Sequence, residues 1–316
     1  MSWVLAGAQV AAYALLAPLF VGLLHWLEAR LQGRRGADPV QPYRNLRKLA
    51  GKRSSIPDSA SGLFLLAPPV IFTCFLLLGF ALPAFISLQW GGMDLLLVVA
   101  LLGLAKFAGA LAAFDAATPF GPMSSGRQMF VHMLAQPVLM LVIYVLTLHS
   151  HTSNLAALAS PRPAGDALLA DPVIAVALGA LAYVLLAELG RLPFDNPTTH
   201  LELTMIEQGS QLEYSGPALA LMEWADAMKT TFALSLLATL AVPWGVVDGH
   251  HPAWVPLALA GYVGKICVLL FLLALWEMHR AKIRLRAIVI HVMLPMGVLL
   301  FTVVSVVMAS NSASGR

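Results

Sequence analysis

Charge is scarce in this sequence: only 11% of its 316 residues are Asp, Glu, Lys or Arg, against about 25% in an ordinary soluble domain. Cysteine is nearly missing too. Cys74 and Cys267 lie far apart, each inside an apolar run, so the chain holds no thiolate-ligated metal. His149, His151, His250 and His251 are too scattered over expected outer loops to suggest a metal site. No Ser/His/Asp set, phosphate-cradling glycine loop, His-Glu-x-x-His helix or dinucleotide-binding fingerprint appears in its expected context. These absences exclude a soluble globular domain and leave no self-contained active site. What the sequence has in abundance is apolar surface, at 59% hydrophobic residues.

A bilayer core needs about 20 mostly apolar residues per helix. Eight stretches meet this, near 3–27, 62–88, 93–114, 130–149, 171–190, 228–247, 255–276 and 288–309. The reading is an all-α polytopic membrane protein, a single integral membrane domain over 1–316 with about eight transmembrane helices. Pro68, Pro69, Pro83 and Pro137 are expected to kink their spans. The earliest basic residue is Arg30, so the first run lacks the basic start of a signal peptide and is expected to remain as a span. Fourteen of the nineteen Lys and Arg residues fall in alternate loops on one side, eight of them between Arg30 and Arg53. By the positive-inside rule these loops are cytoplasmic and both termini are external.

Two cytoplasmic segments stand out. The loop 28–58 is basic and punctuated by Gly33, Gly36, Pro39 and Pro42, after which Tyr43–Leu49 forms a short surface helix with Arg44, Arg47 and Lys48 on its wet side. On charge alone it serves either as a lipid-facing anchor or as a docking surface for a soluble partner. The segment 190–227 is acidic and amphipathic. Asn196 and Pro197 are suited to start a helix on which His200, Thr204, Glu207 and Gln211 make a polar stripe. Ser215-Gly-Pro217 opens a further helix carrying Glu223, Asp226 and Lys229 at i+3 spacing into the sixth span.

Charges at membrane depth are costly and are functional candidates by default. Lys106 and Lys265 lie mid-span, while Glu188, Glu223, Asp226 and Lys229 lie near span ends, where salt bridging or snorkelling is the competing explanation. His132 and His291 read as hydrogen-bonded packing residues.

Three runs carry a family resemblance: Glu28–Pro39 with Gln41-Pro-Tyr-Arg44, Gly190-Arg-Leu-Pro-Phe-Asp-Asn-Pro-Thr-Thr-His-Leu-Glu-Leu203, and Leu212-Glu-Tyr-Ser-Gly216. They resemble membrane subunit 1 of respiratory NADH:quinone oxidoreductase, and more closely its formate hydrogenlyase and hydrogenase-4 branch. The resemblance spans essentially the whole chain. It implies a non-catalytic subunit without cofactors of its own at the foot of a soluble redox arm. The arm's iron–sulfur small subunit and hydrogenase-like large subunit would carry iron–sulfur clusters and a nickel–iron centre, and antiporter-like subunits would be membrane partners. Arg191, Asp195, Glu202, Glu213 and Tyr214 match the family motif position by position. Thr198 and His200 replace glutamates of the quinone-reducing branch, which puts a bound quinone in doubt.

The expected role is docking of the arm and its coupling to proton or sodium movement in a bacterial or archaeal inner membrane. Docking is expected at Arg34, Arg35, Arg44, Arg191 and Tyr214. Coupling is expected along Glu188, Asp195, Glu202, Glu207, Glu213, Glu223, Asp226, Lys229, Lys106 and Lys265. The alternatives are a quinone-reducing subunit 1 and a secondary transporter working alone.

Overall fold

The computed structural model describes residues 2–87, 94–158, 171–196, 204–248 and 254–314. Its long helices are α1 (Ser2–Leu31), α3 (Gly62–Ala81), α4 (Leu95–Asp115), α5 (Phe120–Ser150), α7 (Pro172–Glu188), α8 (Gly216–Ala241), α9 (Val255–His279) and α10 (Leu285–Ser314). Two short helices, α2 (Gln41–Ala50) and α6 (Leu155–Leu158), complete the helical set among the described residues, together with a one-turn 3-10 helix at Gln208–Gln211. The eight long helices answer to the eight apolar runs. Six are long and apolar enough to cross a membrane by length and composition, and α7 is a shorter apolar helix. The eighth, α8, is long but carries Glu223, Asp226 and Lys229.

Local chemistry sets several helix ends. Asp171 caps α7 by accepting from the Val173 amide at 2.8 Å, and Pro172 takes the first helical position. Asp115, closing α4, accepts from the Ser61 and Phe64 amides at 2.7 and 3.1 Å and so ties that end to the start of α3. The prolines act differently from expectation in one span. Pro68 and Pro69 lie inside α3, but the helix stops at Ala81, so Pro83 follows the span rather than sitting within it. Helix α5 starts ten residues before its apolar run; Ser124 and Ser125 in that extension are buried, and Ser124 bonds the Met205 and Ile206 carbonyls of the segment that precedes α8.

Helices α1 and α8 pack on each other, and α2, α3 and α9 contact both. The Tyr13 hydroxyl on α1 donates to the Met228 carbonyl of α8 at 2.6 Å, and the Trp224 indole of α8 donates to the Ala14 carbonyl at 2.8 Å. At the far end of α8, a two-residue parallel pairing joins Ile86 to Val247. Bulky apolar side chains such as Leu66, Ile290, Leu294 and Phe301 face outward, as lipid-facing surfaces require. The basic loop after α1 folds back against its own helix at Gly22, where an added Cβ would come within 2.0 Å of the Pro39 carbonyl oxygen. Beyond it, α2 leaves Arg44, Arg47 and Lys48 exposed.

The segment between α7 and α8 corrects one expectation. The start of the expected amphipathic helix at Pro197, with Thr198, His200 and Glu202, lies outside the described residues. Its expected continuation through 204–207 is a turn, followed by the 3-10 turn. The reason is a competing acceptor. One carboxylate oxygen of Asp195 takes the amides of both Ile206 and Glu207 at 3.0 Å, amides that a helix would have committed to its own carbonyls.

Candidate functional site: a buried charge line opening on a cavity

The site is assembled by the link between α7 and α8. Gly190, with a φ of +60°, turns the chain out of α7, a conformation that disfavours any residue with a Cβ. Asp195 then gathers the turn. Besides the two amides, its other oxygen accepts from the Lys282 ammonium at 2.6 Å, and Lys282 also donates to the Thr204 carbonyl at 2.6 Å. Ser124 of α5 donates to the Ile206 carbonyl at 2.8 Å. Gly209 packs so closely on Ser124 that a Cβ there would meet its hydroxyl at 2.2 Å. The turn thus drives Glu207 inward instead of onto a wet face.

There Glu207 lies between two lysines. Both of its oxygens accept from the Lys106 ammonium of α4 at 2.7 Å, and one also accepts from the Lys229 ammonium of α8. Lys229 is 3.3 Å from Asp226, whose other oxygen takes the Gln211 amide at 2.5 Å. Lys106 and Lys229 are each 7% exposed, whereas Asp226 is 34% exposed. Two ammoniums therefore face two carboxylates in a line that runs from a partly wet end to a buried one. Burial opposes ionisation of Glu207, but the two lysines outweigh it and hold the carboxyl down at about 2. Charges so enclosed persist only when paired, and removing one partner of such a pair typically costs about 3–5 kcal/mol.

The line opens on a cavity of about 1100 Å³ between α1, the basic loop, α2 and the start of α8. Arg34, Arg35 and Asp38 contribute to its wall from the basic loop, and Glu223, Asp226 and Lys229 from α8. Arg34 and Arg35 are exposed, and Arg44 is exposed with a 3.1 Å ion pair to Asp38. Arg191 and Tyr214 are instead buried, at 6% and 4%. Arg191 lies 3.5 Å from Glu277 of α9 and 3.7 Å from Glu28 of α1. Tyr214 stacks on Phe64 with centroids 4.1 Å apart and donates to the Phe64 carbonyl at 2.9 Å. Burial pushes its phenol well above the usual range, and the nearby Asp115 adds to the shift.

The remaining expected site residues separate. Glu188 is buried and bonds the His132 ring at 2.9 Å; both line a small void with Lys106, Gln128, Asp195 and Glu207. His132 is therefore an ion-pair candidate, whereas His291 bonds the Ala287 carbonyl of its own helix. Glu213 is half-buried and Glu223 is exposed. Glu202 lies outside the described residues. Lys265 stands apart: it donates to the Val242 carbonyl at 2.8 Å and to the Trp244 carbonyl at the end of α8, and lies 4.6 Å from the Trp244 ring centre. Val242 lies thirteen positions beyond Lys229 along α8, about 20 Å at 1.5 Å per residue. The sequence patterns do not single out Glu277 or Lys282 as site residues; a glutamate in the last turns of an otherwise apolar helix is the available signal. Among the described residues, no group of three or more His, Cys, Asp and Glu side chains is arranged to hold a metal ion.

Comparison with known proteins matches this architecture over nearly its whole length. The profile of the NADH dehydrogenase family matches residues 5–309. Hydrogenase-4 component C of Escherichia coli K12 is 31% identical, over 90% of this chain and 89% of that protein. Formate hydrogenlyase subunit 4 of the same organism is 30% identical, over 85% and 87%. An NADH-quinone oxidoreductase subunit of Anoxybacillus flavithermus is 30% identical, over 74% and 68%. Among solved structures, a chain of the membrane-bound sulfane sulfur reductase, an archaeal respiratory membrane complex, has the same fold at a TM-score of 0.76. That match has 16% identity and covers 96% of this chain and 99% of the other. A multi-pass helical chain with such relatives belongs to the NADH dehydrogenase family, the membrane subunit 1 family that includes the hydrogenase-4 and formate hydrogenlyase subunits.

Proposed function

We propose that this chain is the membrane subunit of a hydrogenase-4 or formate hydrogenlyase type complex in a bacterial or archaeal cell membrane. It docks a soluble redox arm and links that arm to proton or sodium movement. In this reading the chain binds no cofactor. The iron–sulfur clusters and nickel–iron centre belong to the arm's small and large subunits, and antiporter-like subunits flank the chain in the bilayer. Both termini face outward, so the basic loop and the cavity mouth face the cytoplasm. Arg34, Arg35 and Arg44 present positive charge there to an acidic surface of the arm. Arg191 and Tyr214 act from inside, by fixing the cavity wall.

The observation that carries the reading is the charge-balanced line from Asp226 through Lys229 and Glu207 to Lys106, which begins on the cavity wall and ends mid-span. Asp226 is its accessible end. Loss of the negative charge at Asp226 would free Lys229 from it, so that Lys229 leans on Glu207 and the hold of Glu207 on Lys106 weakens. Charge at the arm contact is in this way felt inside the membrane. Asp226→Asn and Glu213→Gln remove a carboxylate charge while keeping size, so both should spare assembly and dye-linked hydrogenase activity and weaken the activity that depends on the ion gradient. Unchanged gradient sensitivity in both variants would sink the coupling role, and lost assembly would favour a purely structural network.

One observation favours a second reading. A cavity of about 1100 Å³ is large enough for a small ligand, which suits a quinone-reducing subunit 1. Quinone-dependent electron transfer in the purified complex, blocked by a quinone analogue, would support it over the first.

A further inference from the structure

A second buried charge cluster lies on the cavity wall, apart from the line just described, and its charges do not balance. The Arg191 guanidinium has two carboxyl groups beside one of its nitrogens, Glu277 at 3.5 Å and Glu28 at 3.7 Å. All three side chains are enclosed: Arg191 is 7% exposed, Glu277 8% and Glu28 12%. Both carboxyl groups crowd the same guanidinium nitrogen, and the Glu28 oxygen nearest it is buried without a hydrogen-bond donor. Two ionised carboxylates gathered on one guanidinium nitrogen repel, and one guanidinium neutralises only one of them.

Among the described residues, no other cation is turned to the pair. Arg280 of the loop after α9 lies against the Trp276 ring, 4.7 Å from its centre, and Lys282 is committed to Asp195 and the Thr204 carbonyl. Across the same cavity, Lys229 is held by Glu207 and Asp226, Glu223 adds a further acid, and His25 lies one helical turn before Glu28. Arg34 and Arg35 stand at the mouth, exposed to water.

We propose that Glu28 and Glu277 hold one proton between them above Arg191, making the cavity wall a proton-binding site. One carboxyl is the acid and donates to the other, which stays ionised and pairs with the guanidinium. Glu28 lines the cavity, so this proton exchanges with whatever occupies it: in the Glu28 direction the acid releases its proton to the cavity, and the pair is refilled from the same side. The site is independent of the coupling role argued for Asp226 and Glu207, since neither Glu28 nor Glu277 touches that line.

The test is infrared spectroscopy on the intact purified complex at neutral pH, comparing wild type with Glu277→Gln and Glu28→Gln. Each difference spectrum should contain the carbonyl band of one protonated carboxyl that shifts in heavy water. Each single variant, still carrying one carboxylate for Arg191, should assemble like wild type. Glu28→Gln with Glu277→Gln leaves the guanidinium buried and unpaired and should lower the yield of assembled complex by about tenfold or more. If Glu277→Gln fails to assemble, Glu277→Asp withdraws the carboxyl by one methylene and should shift the band without removing it. No protonated-carboxyl band lost in either Gln variant, or an unshifted band in Glu277→Asp, would overturn the proposal. Gradient-sensitivity assays read the coupling role separately, so failure of one is not failure of the other.

Discussion

Lys106 and Lys265 look alike in the sequence, each a lone ammonium near the middle of an apolar run, yet the fold treats them in opposite ways. Lys106 is enclosed and paired with both oxygens of Glu207. Lys265 has no carboxylate partner among the described residues; backbone carbonyls at the end of α8 and the Trp244 ring satisfy it. Free carbonyls at a helix end carry partial negative charge, so Lys265 completes a helix terminus while Lys106 completes a charge line. A mid-span lysine is therefore no signature of a transport path by itself. What distinguishes the two is whether a carboxylate meets the ammonium and whether that pair continues to a cavity.

The comparison is broken most severely at Glu207. Glu207→Gln leaves Lys106 and Lys229 buried with only Asp226 between them in charge, and should destabilise the chain by about 3–5 kcal/mol, read as lost assembly or a collapsed melting temperature in detergent. Adding Lys106→Gln restores the balance of Lys229 against Asp226 and should recover much of the loss. Equal damage in single and double variants would mean that packing, not charge, sets the cost.

Acid gives a gentler version of the same change. The folded carboxyl of Glu207 is held at about 2 and its unfolded value is near 4.5. Its stabilising share is therefore complete above about 4.5 and is lost as pH falls toward 2. Melting temperatures of wild type and of the double variant should separate at neutral pH and converge below pH 4.5; parallel curves throughout would contradict the ion-pair account.

Lys265→Met should have the smallest effect, about 1 kcal/mol, because the carbonyls it satisfies lie at a helix end with Trp244 exposed beside them. It should also leave gradient-dependent activity unchanged, whereas a coupling role for Lys265 requires that activity to fall.

How much of this was legible before the structure depends on what kind of information each feature needs. The eight long helices follow from apolar runs, since hydrocarbon length alone demands them. Helix α2 and the start of α8 follow from proline and glycine punctuation. The turn over 204–207 was not legible: the periodicity of Thr204, Glu207 and Gln211 suits a helix, and only the fold brings Asp195 to the Ile206 and Glu207 amides. The cost of charge at depth marks Lys106, Asp226 and Lys229 as candidates and the acidic amphipathic segment marks Glu207, but their order is a long-range fact, since Lys106 and Glu207 are 101 residues apart. Arg191 and Tyr214 match the family motif and are expected at the docking contact, and both are buried in the fold. Motif identity does not encode exposure. Glu277 and Lys282 were invisible as site residues because their partners, Arg191 and Asp195, come from a different loop.

A chain that is the membrane foot of a metal-bearing redox arm should carry that arm's metals through affinity purification of the full chain from native membranes under mild detergent, with iron and nickel measured across the eluted peak. Both metals should co-elute with the chain in one assembly, and charge reversal at Arg34, Arg35 and Arg44 together should release them while the chain stays in the membrane. A stable, monodisperse chain eluting without iron or nickel would contradict it and would favour a transporter working alone.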